Sequence, residues 1–336
     1  MPAMTLEELK KGMSDKVFGQ IIDIFLRNSE ILQVLPFDDC VSAGGSGSTM
    51  KYKYLRKVLP ATAQFRKIGG SYTASAATKQ ECEAALAIMG GEVQLDRVLN
   101  KAAGKWDNLA YQIEEHIKAV VSLFHYTLIN GDAVSTAATD EPEFEGLDSM
   151  LAGTTTEFGA DKAIDLSTIA NIKANADEFY EALSLLIKTT SADALLLNTE
   201  AITKIQTVAR ILGYKTETEE AFGRKVVNMD GVRFMDLQNH YTVAEGVAVP
   251  NSVVKKGLSR TVGGSSATGL TDIYAVKFDV NDGFHGISLN GSAVIDQYLP
   301  DFSKPGTVKN AEVEMVAATV LKNTQHAGVL RNIKIA

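Results

Sequence analysis

Residues 312–322, EVEMVAATVLK, and 328–336, GVLRNIKIA, read as two strands that end the chain, with a short polar connection between them. Upstream, Asp282-Gly283 and Asp230-Gly231 each lie between β-patterned runs and predict two hairpins. The stretch 241–272 reads as loop-rich. Ala194–Leu197 reads as a short buried strand. Thr199–Leu212 then reads as a helix closed by Gly213.

Two amphipathic helices precede that unit. Ile169, Ile172, Ala176, Phe179, Leu183 and Leu186 define one. Trp106, Ala110, Ile113, Ile117, Val120, Phe124 and Leu128 define a longer one over 104–129, about 39 Å at 1.5 Å per residue. Asn130-Gly131 follows as a stop signal. The intervening 132–161 reads as loop with a short helix near Leu147–Gly153.

The first hundred residues differ in kind. Thr5-Leu6-Glu7-Glu8 is a capping-box pattern that starts a helix at residue 6. Residues 29–50 lose periodicity and read as an extended arm. KYKYLRKVL (51–59) reads as a strand, and PATAQFRKIGGSYTASAATKQ (60–80) as small and polar. EVQLDRVLN (92–100) reads as the next strand. A hairpin this long, with so little to bury, is marginal on its own and makes sense lying on something else. No internal period indicates repeats.

Composition narrows the function classes. A chain of 336 residues that is 45 % hydrophobic buries a large core, and its length suggests about two domains. Two cysteines, Cys40 and Cys82, do not make a disulfide scaffold and fit a reducing compartment. No apolar run reaches the roughly 20 residues of a membrane span, and the N-terminus lacks a signal-peptide core. A net charge of −8 argues against bulk nucleic-acid binding. The charges are segregated. Residues 41–80 hold seven bases (Lys51, Lys53, Arg56, Lys57, Arg66, Lys67, Lys79) and no acid. Residues 130–161 hold eight acids, Asp140, Glu141, Glu143 and Glu145 among them, and no base. Such runs are commonly solvated faces, but they also suit contact between copies of one chain.

Motifs for chemistry fail on spacing. AGGSGSTMK (43–51) lacks the G-K-[ST] of a phosphate loop and leads into a strand, so it reads as a flexible segment. Asp279-Val280-Asn281-Asp282-Gly283 has its glycine one place early for a calcium loop, and Asn290 stands where the bidentate Glu belongs. Glu114-Glu115-His116 is not HExxH, and the five histidines show no metal-ligand spacing. KYKYLRK interleaves bases and tyrosines as single-strand binders do, but any edge strand alternates likewise. Strand 194–197 and its helix resemble a mononucleotide unit, but the turn Asn198-Thr199-Glu200 has no glycine. No catalytic residue, cofactor or metal is expected.

The order of these parts resembles the major capsid proteins of tailed bacteriophages, whose fold is shared by encapsulin compartments and the herpesvirus shell floor. The similarity spans nearly the whole chain and rests on no single motif. HYTLINGD (125–132) resembles the end of the family's spine helix. ADALLLNTEAITKIQTVARILG (192–213) resembles the strand and helix of its axial domain, and IYAVKFDVNDGFHGISL (273–289) a later hairpin. VEMVAATVLKNTQHAGVLRNIKI (313–335) resembles the paired C-terminal strands of its peripheral domain.

The resemblance implies an α+β capsid fold. Its parts are an N-terminal helix and arm (1–50), an extended hairpin loop (51–91), a peripheral domain (92–131 and 301–336) containing the spine helix, and an axial domain (132–300). It implies a non-enzymatic head-shell protein, assembled in the bacterial host cytoplasm into the virion as hexamers and pentamers. The shell encloses double-stranded DNA without sequence-specific binding or a membrane. Expected partners are a separate scaffolding protein, a portal and decoration proteins. Lys51, Lys53, Arg56, Lys57, Arg66, Lys67 and Lys79, facing Asp140, Glu141, Glu143 and Glu145 of another copy, are the expected intersubunit contact. An encapsulin-like compartment and an unrelated α+β enzyme are the alternative readings.

Overall fold

The computed structural model describes residues 31–40, 50–98, 108–138, 141–213, 217–221, 224–229, 231–289, 294–301 and 303–336. The helix expected at residue 6, the segment Gly44–Thr49, Trp106 and Asp140 lie outside them.

The chain begins with α1 (Ile31–Val34) and β1 (Phe37–Asp39), then β2 (Lys51–Leu59), β3 (Thr78–Ala85) and β4 (Ala87–Asp96). The long helix α2 (Asn108–Asn130) follows, with the short helices α3 (Ala133–Thr136) and α4 (Leu147–Leu151) behind it. Next come β5 (Glu157–Phe158), β6 (Ile164–Asp165), α5 (Ile169–Thr190), β7 (Ala194–Leu197) and α6 (Thr199–Leu212). The remainder is strand: β8 (Glu217–Ala221), β9 (Arg224–Met229), β10 (Val232–Asp236), β11 (Asn239–Ala244), β12 (Val247–Ser252), β13 (Leu258–Val262) and β14 (Ser265–Val276). The last four are β15 (Phe284–Ser288), β16 (Ile295–Tyr298), β17 (Val308–Leu321) and β18 (Ala327–Lys334).

Two sheets organise the body. In the five-stranded sheet β17 is central. β4 pairs along it from Val308 to Ala317. β15 pairs with Ala317–Leu321 and β16 with Glu312–Met315. A strand has only two edges, so β15 and β16 follow each other along one edge of β17 while β4 takes the other. The stripe of α2 (Ile113, Val120, Phe124, Leu128) is buried against this sheet with Met89, Val93, Val313 and Met315. The nine-stranded sheet has the order β5-β18-β14-β7-β10-β9-β8. At its centre every residue of β7 is buried, and each fully buried leucine there stabilises the fold by about 1.5–3 kcal/mol. Helices α5 and α6 cover this sheet. Thr168 and Asn198 cap their first turns by accepting from Asn171 N and Ala201 N.

The topology corrects several expectations. The terminal strands do not pair with each other: β17 belongs to the five-stranded sheet and β18 pairs with β14 in the nine-stranded one. Asp282-Gly283 is a turn but not a hairpin, because it carries the chain from β14 in one sheet to β15 in the other. The stretch 241–272 is mostly strand, forming the antiparallel pairs β11–β12 and β13–β14. Its turn residues, Glu245-Gly246 (φ 51° and 78°) and Gly263-Gly264 (φ 56° and 82°), have positive φ at both positions, the signature of two-residue hairpin turns. The strand expected at 92–100 starts at Ala87 and ends at Asp96. The expected arm is docked over 31–40: Ile31 and Leu35 enter the core, and β1 pairs in parallel with β15.

Candidate functional site

β2 and β3 form a separate two-stranded ribbon, registered from Lys51↔Ala85 to Leu59↔Thr78. The return strand TKQECEAA is poor in β-branched residues. It is a strand because β2 pairs with it, a tertiary effect that local propensity does not carry.

Side chains alternate across the ribbon. Tyr52, Tyr54 and Arg56 face the body. Tyr52 Oη donates to Asp38 Oδ2 at 2.6 Å, and its ring meets His285 edge-on at 5.9 Å. Arg56 donates to the carbonyls of Lys322 (3.0 Å) and Leu321 (2.8 Å) at the C-terminal end of β17. Burial, helped by Asp38, pushes the Tyr52 phenol up. Burial with Asp38 and Asp39 nearby pushes the Cys40 thiol up to about 11, so it stays protonated at neutral pH. The outward face carries diagonal ion pairs, Lys51 to Glu83 at 2.7 Å and Lys53 to Glu81 at 2.8 Å. These exposed pairs contribute little stability.

Beyond Leu59 the ribbon leaves the body. Residues 60–80 are exposed throughout. Ser75 Oγ donates to Thr62 O at 3.0 Å and accepts from Thr62 N, and Gln64 Nε2 donates to Thr73 O at 2.8 Å. A turn at Lys67–Gly70 closes the tip, where Arg66 stacks over Tyr72 at 5.3 Å. Phe65 and Ile68 are 106 % and 105 % exposed, so they bury nothing on their own subunit. Large apolar side chains on a projecting basic loop mark a surface that is covered by something else.

The basic residues expected at an interface therefore fall into groups. Lys51 and Lys53 are paired within the ribbon, Arg56 is tied to its own body, and Lys57, Arg66, Lys67 and Lys79 are exposed. Among the acids, Glu143 accepts from Asp132 N at 3.1 Å and Glu145 from Ser149 Oγ at 3.2 Å, while Glu141 is exposed. Glu143 and Glu145 line a cleft of about 350 Å³ at the root of the ribbon, together with Tyr54, Arg56, Cys82 and Thr319. The structure thus brings Arg56, Glu143 and Glu145 to one cleft inside a single subunit. Phe65, Ile68 and the return strand β3 were not legible as site features. The small-residue run around Gly69-Gly70 obscured them.

A second charged cluster lies where β18 meets α4. Arg331 binds Asp148, Glu157 Oε1 (2.5 Å) and Asp272 Oδ2 (3.3 Å). Arg260 clamps Asp272 with two bonds of 2.6 Å. Burial pushes the Asp148 carboxyl up, but the Arg331 guanidinium outweighs it and holds it below the usual carboxylate range. Every charge in this cluster faces an opposite one, which is the arrangement of a structural lock. Among the described residues no group of three His, Cys, Asp or Glu side chains could hold a metal ion.

No protein-family model matches the chain, and no curated protein matches it. Solved structures do. The SrpI encapsulin of Synechococcus elongatus superposes with a TM-score of 0.59 at 14 % identity, covering 99 % of this chain and 97 % of that one. A chain of Mycobacterium phage Bobi gives 0.58 at 11 % identity over 98 % and 99 %. The capsid of the myophage XM1 gives 0.53 at 14 % identity over 98 % and 99 %. The chain has the α+β fold of tailed-phage capsid proteins, which encapsulin shells share.

Proposed function

We propose that this chain is the structural subunit of an icosahedral head shell of a tailed phage, closing around packaged double-stranded DNA. The observation that carries the reading is the projecting ribbon: Phe65 and Ile68, fully exposed beside Arg66 and Lys67, need a neighbour to cover them. The five-stranded sheet with α2 serves as the peripheral domain. The nine-stranded sheet with α5 and α6 serves as the axial domain, now including β18. Axial domains close hexamers and pentamers through head-to-tail contacts, and peripheral domains join the rings. Each contact can be weak, because many act together. A net charge of −8 limits adhesion of packaged DNA to the shell. A separate scaffolding protein, a portal and decoration proteins complete the head, which assembles in the host cytoplasm. The residues of the chain carry no catalytic role in this reading.

The test is charge reversal at the tip. Arg66→Glu with Lys67→Glu leaves the monomer folded and blocks assembly. Normal shells from that variant would remove the charge argument. The second reading, a compartment around protein cargo, is favoured by the encapsulin superposition. Purified particles that hold a co-purifying protein and no nuclease-protected DNA would select it.

A further inference from the structure

The outer face of the five-stranded sheet carries like charges directly opposite one another. Glu92 is registered against Glu312, and Glu314 against Asp296. Glu312 and Glu314 are two apart on β17, so all four carboxylates share one face, opposite the core-facing Val313 and Met315. Among the described residues none of the four lies within salt-bridge distance of a base. Like charges facing across a ladder, with Cβ atoms about 5 Å apart, are destabilising. The same defect with opposite sign occurs on the ribbon. After the diagonal pairs at Lys51 and Lys53, the outward face ends with Lys57 registered against Lys79, and neither has an acidic partner among the described residues. The apolar surroundings also match: Ile88 and Tyr298 are exposed beside the acids, and Leu55 and Leu59 beside the lysines.

Neither patch can satisfy the other within one subunit. β3 ends at Ala85, one residue before β4 begins at Ala87 against Ala317 of β17, and Arg56 reaches Leu321 and Lys322. The ribbon therefore leaves the far end of β17, while Glu312 lies nine residues back, about 30 Å away along the strand.

We propose that the Lys57/Lys79 pair of one copy docks on the Glu92/Glu312/Glu314/Asp296 face of the next copy. This rests on the shell reading above and assigns its contact to a surface other than residues 132–161. The contact is head-to-tail: ribbon onto sheet, with the patch on each subunit left open for the following one. That is the geometry that builds rings. Each patch costs its own subunit some stability, and the cost is relieved only when the two meet.

Reversal in pairs tests this cleanly, because it keeps the internal repulsion and so leaves the monomer close to its parent in stability. Lys57→Glu with Lys79→Glu, or Glu92→Lys with Glu312→Lys, should each lower the fraction of protein sedimenting as particles at least ten-fold. The four substitutions together should recover at least three-fold of that loss and not all of it, because Glu314 and Asp296 still face the reversed ribbon, with circular dichroism confirming folding throughout. A zero-length carbodiimide crosslink on parent particles should join Lys57 or Lys79 to these carboxylates and give dimer and trimer bands. Particles from either double variant at parental yield would overturn the contact, as would crosslinks from these lysines to Glu141 or Asp161. If the parent forms no oligomer under any condition, the shell reading fails and this contact falls with it.

Discussion

Arg331 Nε donates to Glu157 Oε1 at 2.5 Å, joining the last strand of the chain to the segment that follows α4. The geometry comes from a bulge. β14 and β18 pair Thr271 with Ile333 and Ile273 with Leu330, so Asp272 faces both Arg331 and Asn332. Asn332 takes φ 62°, and its N–H donates to Asp272 Oδ1 at 3.0 Å. The extra residue turns Arg331 into the carboxylates.

Arg331→Met should therefore destabilise the monomer by about 3–5 kcal/mol, since Asp272, only 3 % exposed, would lose one of its two cations and Asp148 its counter-ion. Urea unfolding of an assembly-deficient variant measures it. A loss below about 1 kcal/mol would show that the cluster is not a lock.

His125 sets a pH dependence. It is 1 % exposed, its Nε2 has no hydrogen-bond partner among the described residues, and burial pushes its pKa down to about 3. The unfolded chain takes up the proton near pH 6.5, so between about 6.5 and 3 the unfolded state binds more protons. Stability is then fully present above pH 6.5 and falls as pH drops, by up to about 1.4 kcal/mol per unit. His125→Leu should flatten the unfolding free energy between pH 6 and 4 relative to the parent. Parallel curves would show that His125 does not titrate in this way.

The long helix α2 was legible because one stripe of apolar residues repeats through Ile113, Val120, Phe124 and Leu128, and a period needs no tertiary information. Helix α5 was legible for the same reason and α6 from its Gly213 stop, whereas the caps Thr168 and Asn198 emerge only in the structure. Sheet membership was not legible. EVEMVAATVLK and GVLRNIKIA look alike as strands, and nothing local says that β15, β16 and β4 claim the first while β14 claims the second. β3 was missed because its residues favour no strand without β2. At the site, the charge runs were visible, but the ladder register was not. Only pairing reveals that Lys57 faces Lys79, or that Lys51 and Lys53 are already neutralised.

Gly131 ends α2 at Asn130 as its sequence signal implies, but its φ is not positive. It is glycine for want of space. A Cβ there would lie 2.2 Å from Phe144 O, and Gly146 N donates to Gly131 O at 2.9 Å. Gly131→Ala should cost about 2–3 kcal/mol by forcing the two backbones apart. A melting temperature within 1–2 °C of the parent, on the order of a few tenths of a kcal/mol, would contradict this close approach.

Phe65 and Ile68 are fully exposed, so Phe65→Ser with Ile68→Ser should leave monomer stability within about 0.5 kcal/mol of the parent. Assembly should suffer far more. A variant that unfolds easily would place these side chains in the monomer's own core, and one that assembles normally would leave the ribbon without its function.

Electron microscopy of the purified protein, expressed alone and with a co-expressed scaffolding protein, shows whether this chain closes into a shell. Uniform closed shells of hexamers and pentamers are expected in at least one of the two preparations. Monomers at high concentration in both would contradict a shell subunit.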